Sequence, residues 1–514
     1  MRSIPVLTPQ QSRTWDVTAG LSGRSPGILM ENAGRAVAQL AVDRFALVIQ
    51  QGVLVACGPG NNGGDGWVAA RTLSAMGMPV WATELTPPGD GIAANARRVA
   101  LHDGVRLVPA DGPWPGAGLL IDALLGTGAS GAPRGEMMPL LHRLADLQKP
   151  IVAVDGPTGL DLSTGVQHGP LHAALTVTFA GVRRGHLLAR DEIGDLVVVE
   201  IGLPGAEPQW PVLIDTAWAA ERVGQLPANS HKGMRGRVVI VGGSPTMVGA
   251  ARLAARAAFG AGAGLVHVVA PEASLAALRL AEPDVQTLAQ EFSGPIGEPV
   301  AELIGHADAV AIGPGLGRDA GRAEFVVAML QLARTAVVDA DALTALRTQR
   351  DALLQLATSR AVVCTPHVGE FGTLFPECAV DLETAPWEAA LHAARVSAAT
   401  VLLKGVPTVV ASPDGMALTV AAGNPGLATG GSGDVLTGII AALLAQGVAL
   451  PDAAAAGAQA HGEAADYAAR RATARAMRPM DVVTGLQDVW RGWGRPGPLR
   501  RVPILLDLPA PQTI

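Results

Sequence analysis

Residues 53–71 read VLVACGPGNNGGDGWVAAR: an apolar run, a glycine-rich loop, and the start of an alanine-rich stretch. This order is typical of a strand, a binding loop and a helix in an α/β protein, where backbone N–H groups hold an anion at the start of the helix. The loop has neither the lysine of a P-loop nor the GxGxxG spacing of a dinucleotide fingerprint. Two asparagines and an aspartate stand there instead, so it predicts a binding loop of another kind.

Composition limits the class of protein. The chain has 514 residues, enough for two or three domains, with 49% hydrophobic and 16% charged residues. Its net charge of -7 gives no electrostatic footprint for nucleic acid or an anionic membrane. The first residues lack the apolar segment of a signal peptide, and the apolar run at 435–450 is too short to span a bilayer. Three cysteines without metal-ligand spacing favour a reducing cytoplasm.

Apolar runs alternate with alanine-rich stretches along the chain, which predicts parallel sheets covered by helices. We expect the first helix to begin near Pro26. A proline-rich, strand-poor segment, 203–233, interrupts the alternation and predicts the linker and the entry to a second domain. The sequence therefore predicts an α/β protein of two tandem domains, 1–212 and 213–502, and the tail after them matches no pattern.

In the first domain, unusual loops follow three of the predicted strands. They are NNGGDG (61–66), DALLGTGASGAPRG (122–135) and VDGPTGLD (154–161). Parallel sheets bind ligands beyond the carboxyl ends of their strands, so these loops are expected to meet. Their carboxylates, carboxamides and hydroxyls are hard ligands for a simple cation, and their glycines suit a phosphate. Each loop alone is also compatible with an ordinary turn or helix cap.

Four segments, MENAGRAVA (30–38), CGPGNNGGDGWVAAR (57–71), IDALLGTG (121–128) and VDGPTGLD (154–161), resemble in order the signatures of the NAD(P)H-hydrate epimerases. The resemblance implies a Rossmann-like three-layer sandwich that binds a hydrated nicotinamide nucleotide and potassium. It implies Asn62, Asp122 and Thr158 as potassium ligands and Asp155 as a catalytic contact to the hydrated ring. The implied nucleotide contacts are Asn61, Asn62, Gly63, Gly64, Asp65, Gly126, Thr127, Gly128, Ala129, Ser130, Gly131 and Ala132.

The implied reaction inverts C6 of a hydroxylated dihydronicotinamide without a redox cofactor. Either the ring nitrogen expels the hydroxyl or the ring opens, and the centre re-forms on the other face. A carboxylate can move the proton, and both Asp155 and Asp65 remain candidates. The family's usual VDIPSG is VDGPTG here, so Thr158 keeps the hydroxyl while Gly156 replaces a larger residue.

In the second domain the richest segment is NPGLATGGSGDVLTGIIAALL (424–444), a glycine loop that runs into an apolar helix. Its backbone N–H groups and helix dipole predict an anion site. Asp434 is placed there to take a proton from a hydroxyl that attacks a phosphate. As an alternative, Asp434 is a plain helix N-cap.

This loop resembles the anion hole of the ribokinase-like superfamily. Together with AIGPGLG (311–317), VVDADAL (337–343), TPHVGEF (365–371) and LLKGVPTVVASPDG (402–415), it resembles the ADP- or ATP-dependent NAD(P)H-hydrate dehydratases. A ribokinase-like three-layer α/β/α fold is implied, with Asp434 as the base. The implied hydrate contacts are Ala250, Gly315, His367 and Asp434, and those of ADP or AMP are Lys404, Gly405, Val406, Pro407, Thr408 and Gly433.

The sequence thus predicts a bifunctional repair enzyme for the hydrates of NADH and NADPH (NADHX and NADPHX). An epimerase domain would interconvert the R and S hydrates, and a dehydratase domain would use ADP, or ATP, with Mg²⁺. Small-molecule substrates, no nucleic acid, no membrane and a homo-oligomer are expected. The alternative is a ribokinase-like small-molecule kinase with a non-catalytic nucleotide-binding N-terminal domain.

Overall fold

The structure is a computed structural model that describes residues 3–494 and 502–513. Within them the chain forms two compact units, residues 3–210 with 502–511, and residues 211–494 with 512–513. The domain limits predicted from sequence stay a prediction about where the two activities divide. None of the helices in the described part combines the length and apolarity needed to cross a bilayer.

The first unit alternates strands and helices, as its sequence pattern predicts. Its elements in chain order are β1 (Ile4–Leu7), α1 (Pro9–Leu21), α2 (Pro26–Arg44), β2 (Val53–Cys57), α3 (Asn61–Ala75), β3 (Val80–Glu84), α4 (Ile92–His102), β4 (Arg106–Leu107), β5 (Leu119–Ala123), α5 (Met137–Asp146), β6 (Ile151–Val154), β7 (Leu175–Phe179), β8 (Val182–Arg183), α6 (Arg184–Leu188) and β9 (Asp195–Val199).

Its main sheet is parallel in the order β9-β7-β6-β5-β2-β3-β4, and β1 pairs with β8 separately. From β2 the chain moves outward to β3 and β4 on one side, and then returns to β5 on the other. The crevice between β2 and β5 is therefore the topological switch point, where open α/β sheets bind ligands. Both strands are buried along their whole length, as strands covered on both faces are.

The second unit repeats this layering with more helices. Its elements are β10 (Val212–Leu213), α7 (Thr216–Val223), β11 (Arg237–Val241), α8 (Val248–Gly260), β12 (Leu265–Ala270), α9 (Glu272–Ala281), β13 (Gln286–Ala289), α10 (Glu298–Gly305), β14 (Ala309–Ile312), α11 (Arg322–Leu332), β15 (Thr335–Val338), α12 (Asp341–Leu346), α13 (Arg350–Ala357), β16 (Ala361–Cys364), α14 (Val368–Leu374), α15 (Pro386–Ser397), β17 (Thr400–Leu403), β18 (Thr408–Ala411), β19 (Ala417–Val420), α16 (Ser432–Ala445), α17 (Leu450–Arg471) and α18 (Pro479–Trp493).

The sheet of this unit runs β13-β12-β11-β14-β15-β16-β17-β18-β19-β10. It is parallel from β13 to β17, and β17, β18 and β19 form an antiparallel meander. Here the switch point lies between β11 and β14, because the chain leaves β11 for β12 and β13 before it returns. Helix α16 is apolar on nearly every side and packs in the main hydrophobic core of the unit.

The tail forms one more strand of the first unit. β20 (Ile504–Leu508) pairs antiparallel with β9 and covers the edge of the main sheet. Arg44 Nη2 lies 2.6 Å from Asp507 Oδ2, and Leu506 is buried. β20 thus becomes the outermost strand of the sheet, and β9 is paired on both sides.

One sequence prediction about elements is wrong, and one segment contains elements that were not predicted. Helix α1 precedes the helix that begins at Pro26, and it was missed because Ser12 interrupts a buried stripe that otherwise contains only Pro9, Trp15 and Ala19. The segment 203–233 contains β10 and α7, which belong to the second unit. A strand of two residues carries too little periodicity to be recognised without its partner β19.

Candidate active sites

The NNGGDG loop lies at the switch point of the first unit and forms the start of α3. Gly60 caps this helix without any side-chain hydrogen bond, so the first N–H groups are free to bind an anion. A Cβ on Gly63 would lie 1.8 Å from the carbonyl oxygen of Gly58. Gly63 is therefore required because the helix start packs directly on the preceding loop.

The start of α3, which carries Asn62, and the loop that carries Asp155 both approach Gly126. A Cβ there would lie 3.0 Å from Asn62 Oδ1 and 3.0 Å from Asp155 Oδ2. The structure thus brings the Asn62 carboxamide and the Asp155 carboxylate to the same glycine. The predicted nucleotide contacts belong to two segments: Asn61, Asn62, Gly63, Gly64 and Asp65 to the first turns of α3, and Gly126, Thr127, Gly128, Ala129, Ser130, Gly131 and Ala132 to the loop after β5.

Asp155 directly follows β6 and is the most highly coordinated carboxylate of this site. Its φ of 66° is in the left-handed region, which a non-glycine residue adopts only when its surroundings hold it there. Oδ2 accepts hydrogen bonds from the N–H of Thr127 (2.8 Å) and from its hydroxyl, and Oδ1 accepts one from Thr178 Oγ1 (3.0 Å). The carboxylate is therefore held in one orientation.

Arg183 and His186 complete the environment of Asp155. Arg183 Nη2 lies 3.3 Å from Asp155 Oδ1. Burial favours the neutral acid, but Arg183 and the hydrogen bonds from Thr127 outweigh it, so the pKa of Asp155 is lowered. Burial, reinforced by Arg183, lowers the pKa of His186 to about 4. Its Nδ1 accepts from Arg183 N–H, so the neutral ring donates through Nε2 to the carbonyl oxygen of Asp155 (2.6 Å).

Two further carboxyl groups, those of Asp65 and Asp16, have raised rather than lowered pKa values. Burial and the charges of Asp155 and Asp16 raise the pKa of Asp65 well above its usual range. Desolvation of the carboxylate raises the pKa of Asp16, on α1. The charge of Arg183 opposes this rise, and the charge of Asp155 adds to it. The Asp16 residue is nonetheless exposed to solvent. The lowered pKa of Asp155 suits a proton acceptor, and the raised pKa of Asp65 suits a proton donor.

Two of the three predicted potassium ligands form one buried cluster. Asp122 Oδ1 accepts from Thr158 Oγ1 (2.7 Å), and Oδ2 accepts from Thr158 N–H (2.6 Å). Asp122 is 2% exposed, and burial raises its pKa above the usual range despite these hydrogen bonds. A buried carboxylate and hydroxyl are hard oxygen donors that fit a simple cation. The third, Asn62, lies beside Gly126, and its buried Nδ2 has no hydrogen-bond partner among the described residues.

The Gly156 departure has a structural counterpart. A Cβ at this position would lie 3.0 Å from Leu162 Cδ2 and 3.4 Å from His186 Nε2. Leu162 and His186 therefore occupy the space that a larger residue would need.

In the second unit, Asp434 lies in the first turn of α16. Gly431, not Asp434, is the N-cap, and no side chain caps the helix. The N–H of Ser432 donates to the carbonyl oxygen of Thr429 (3.2 Å), which leaves the N–H groups of Gly433 and Asp434 to bind a phosphate. The alternative of Asp434 as a plain cap is therefore wrong. Burial, then the charge of Asp339, raises the pKa of Asp434 to about 7, with Lys404 opposing and Asp341 adding to the rise. A carboxylate that titrates near neutrality is suited to general-base work.

Lys404 lies against the start of the same helix. A Cβ on Gly433 would lie 3.4 Å from Lys404 Nζ. The ammonium group is 2.8 Å from Asp339 Oδ1 and 3.6 Å from Glu370 Oε2. Burial disfavours the charged lysine, but these two carboxylates outweigh it and raise its pKa. The Lys404 ammonium group is therefore fixed by two carboxylates beside the first turn of α16, and it is not a solvent-exposed side chain at the end of a strand.

The predicted hydrate contacts form two groups. Gly315, in the loop after β14, adjoins α8, because its Cβ would lie 3.1 Å from the Cβ of Ala250. His367 is the N-cap of α14, and its backbone pairs with that of Lys404 in a parallel bridge. The predicted adenine-nucleotide contacts Gly405, Val406, Pro407 and Thr408 form the turn between β17 and β18, where the Val406–Pro407 peptide is cis.

Buried polar contacts anchor the glycine loop of the second unit. His461 Nε2 lies 3.3 Å from Ser432 Oγ, and burial lowers the pKa of His461 to about 4, so the ring is neutral near pH 7. Asn424 donates to Asp466 Oδ1 (2.9 Å) and accepts from Gly426 N–H (3.0 Å). Both ends of the loop are thus hydrogen-bonded to α17, Asn424 to Asp466 and Ser432 to His461.

Sequence reasoning missed several residues of these sites. Asp339 and Glu370 stand within the motifs VVDADAL and TPHVGEF. The place of Asp339 directly after the buried strand β15 was a usable signal, whereas Glu370 lies in the first turn of α14. Arg183, Thr178 and Asp16 carried no local signal, because only the fold brings them to Asp155. In the described part, no three His, Cys, Asp or Glu side chains converge on one metal position.

Comparisons with known proteins cover both units. A family model described as NAD(P)H-hydrate dehydratase matches residues 238–488, and one described as YjeF-related protein N-terminus matches residues 26–185. The bifunctional NAD(P)H-hydrate repair enzyme Nnr of Moorella thermoacetica is 38% identical over 491 residues, covering 90% of this chain and 92% of the relative. The Escherichia coli enzyme of the same name is 37% identical, with 90% and 89% covered.

A solved structure of a ribokinase-like superfamily protein from Enterococcus faecalis matches the second unit's fold. It has a TM-score of 0.50 and 26% identity, and it covers 57% of this chain and 99% of its own.

Proposed function

The chain belongs to the bifunctional NAD(P)H-hydrate repair enzymes, and on that basis we propose how its two sites divide the work. It is an NAD(P)H-hydrate epimerase fused to an NAD(P)H-hydrate dehydratase of ribokinase-like fold. The observation that carries the assignment of the phosphoryl-transfer step is Asp434, a base with a pKa of about 7 in the uncapped first turn of α16.

In the first domain, Asp155 acts as the proton acceptor and Asp65 as the donor. Their pKa values are pushed in opposite directions, which is what acid–base work at one pH requires. Loss of the C6 hydroxyl as water needs a proton, and re-addition of water to the other face returns one. No hydride moves, so no redox cofactor takes part. The free N–H groups at the start of α3 bind a phosphate of the nucleotide.

In the second domain, the oxygen of the C6 hydroxyl attacks the β-phosphorus of ADP, and Asp434 takes the proton of that hydroxyl. AMP leaves, and Lys404 with the N–H groups around Gly433 neutralises the charge on the transferred phosphoryl group. The C6–O bond then breaks with electrons supplied by the ring nitrogen. Loss of phosphate from C6 and a proton from C5 restores the dihydronicotinamide. Gly315, Ala250 and His367 line the hydrate, and residues 405–408 the adenine nucleotide.

Metal ions support both steps in this proposal. Asp122, Thr158 and Asn62 would hold K⁺, which supplies positive charge beside the nucleotide. Mg²⁺ commonly arrives with nucleotide phosphates and needs few protein ligands. That fits a site in which the carboxylates of Asp339 and Glu370 are already paired with Lys404.

We also propose that the enzyme acts in the cytoplasm as a homo-oligomer. All three cysteines are buried free thiols, which is consistent with a reducing compartment.

The function is tested with a mixture of R and S hydrates, ADP or ATP, and K⁺ or Na⁺, following the return of dihydronicotinamide absorbance. Complete conversion is expected with ADP and K⁺. Asp434→Asn should abolish the return of absorbance. Asp155→Asn should let the absorbance return only to the extent of the S hydrate in the mixture, apart from slow spontaneous epimerisation of the R hydrate. A stable phosphorylated product would instead support the small-molecule kinase, which no comparison favours.

A further inference from the structure

Asp339 joins three separate elements of the second unit. It follows β15 directly, and its side chain is 2% exposed. Oδ1 accepts a hydrogen bond from Lys404 Nζ (2.8 Å), at the end of β17. Oδ2 accepts one from Thr437 Oγ1 (2.6 Å), on α16. A buried carboxylate with both oxygens engaged is held in a single position.

The same carboxylate lies beside the backbone of the anion site. A Cβ on Gly433 would be 3.5 Å from Asp339 Oδ2 and 3.4 Å from Lys404 Nζ. Thr437 is one turn after Gly433 on the same face of α16. Asp339 is therefore tied both to the helix that carries Asp434 and to the lysine that faces its first turn.

We propose that Asp339 is a positioning residue of the dehydratase site: it holds the Lys404 ammonium against the first turn of α16 and keeps a negative charge beside Asp434. This inference rests on the proposed function, and no residue role of this kind follows from the family match. Asp339 touches neither substrate nor phosphate in the proposal and acts only through Lys404 and Asp434.

The charges around Asp434 give the proposal a measurable sign. Burial is the largest cause of the raised pKa of Asp434; the charges of Asp339 and Asp341 raise this pKa further, and the charge of Lys404 lowers it. Glu370 faces Lys404. His461, which lies against Ser432, is neutral near pH 7. Loss of the Asp339 charge therefore lowers the pKa of Asp434, and loss of the Lys404 charge raises it.

The test measures kcat/KM for the S hydrate against pH in wild type, Asp339→Asn and Thr437→Val. Wild type should lose activity as the pH falls through about 7. In Asp339→Asn this midpoint should fall by about one unit or more, and kcat by about tenfold or more, because the base is weaker and the lysine is free. Thr437→Val keeps the charge and should keep the midpoint. An unchanged midpoint in Asp339→Asn would overturn the proposal.

Asp339→Asn leaves Lys404 with only the more distant carboxylate of Glu370 (3.6 Å), and the variant can fail to fold for that reason alone. The neutral pair Asp339→Asn/Lys404→Gln avoids this. Its midpoint should lie below that of Lys404→Gln alone, and equal midpoints would contradict the role of Asp339.

The same midpoints can be read without turnover from the pH dependence of ADP binding by calorimetry. If wild type binds ADP but restores no absorbance, the proposed function fails. The calorimetric shift between Asp339→Asn and wild type then still decides the role of Asp339.

Discussion

Arg183 Nη2 lies 3.3 Å from Asp155 Oδ1, and the guanidinium group is 3% exposed. The ion pair connects the end of β6 to β8. It keeps ionised a carboxylate that burial would otherwise neutralise. The acid–base properties of the first site therefore depend on a residue 28 positions further along the chain that belongs to none of the recognisable motifs.

Asp155→Asn should lower the rate of epimerisation by about 100-fold or more, because it removes a proton acceptor. Dehydration of pure S hydrate by the same protein should be unchanged. The rate is measured as conversion of R hydrate with the intact second domain and ADP present. Asp146→Asn, at an exposed position at the end of α5, is the matched control and should leave both rates unchanged.

Arg183→Met should move the acid limb of the epimerase pH profile to higher pH. Asp155 works ionised, so activity is lost as the pH falls through its pKa, and this pKa rises once the cation is gone. Arg183→Lys keeps the charge and should restore much of the profile. A general loss of rate without any shift would mean that Arg183 serves only packing.

Asp65→Asn should remove the basic limb of the same profile. Asp65 is proposed to work as the protonated acid, and its raised pKa places that limb above the ordinary range of an aspartate. The asparagine preserves size and polarity but has no acidic proton to donate. A basic limb that survives in this variant would assign the donor to another group, with Asp16 as the next candidate.

Gly63→Ala should destabilise the first domain by about 1–3 kcal/mol, because the new Cβ would lie 1.8 Å from the carbonyl oxygen of Gly58. Gly60→Ala is the matched control in the same loop, since nothing lies within 4 Å of a Cβ there. Thermal unfolding and epimerase activity of the two variants are compared. Equal losses would mean that the close approach of Gly63 to Gly58 is not what requires the glycine.

A chain ending at Gly494 should have a less stable first domain. It lacks β20 and with it the buried side chains of Val502 and Leu506. A loss of about 2 kcal/mol corresponds to a fall in Tm of about 4 to 8 °C. Dehydration of pure S hydrate should be kept, and Asp507→Asn, which removes only the ion pair with Arg44, should have a smaller effect. A fall in dehydratase rather than epimerase activity would contradict this assignment of the tail.

Much of the architecture was readable from local patterns. The apolar runs at 53–57, 119–123 and 236–241 fall on buried strands, and glycine loops follow the first and the last. Parallel strands covered by helices are apolar on both faces, so they stand out from the helices without tertiary information. The polar α1 and the two-residue β10 lack such patterns, and β20 is recognisable only through its pairing with β9.

The sequence by itself determined which loops place glycine, asparagine and aspartate at strand ends, and so where the candidate sites lie, because these are local features. It left open whether Asp155 or Asp65 accepts the proton, and what holds Lys404. Only the tertiary structure decided the charges around these groups. A pKa depends on burial and on neighbours within a few ångströms, and Arg183 and Asp339 become neighbours of Asp155 and Asp434 only when the strands are assembled.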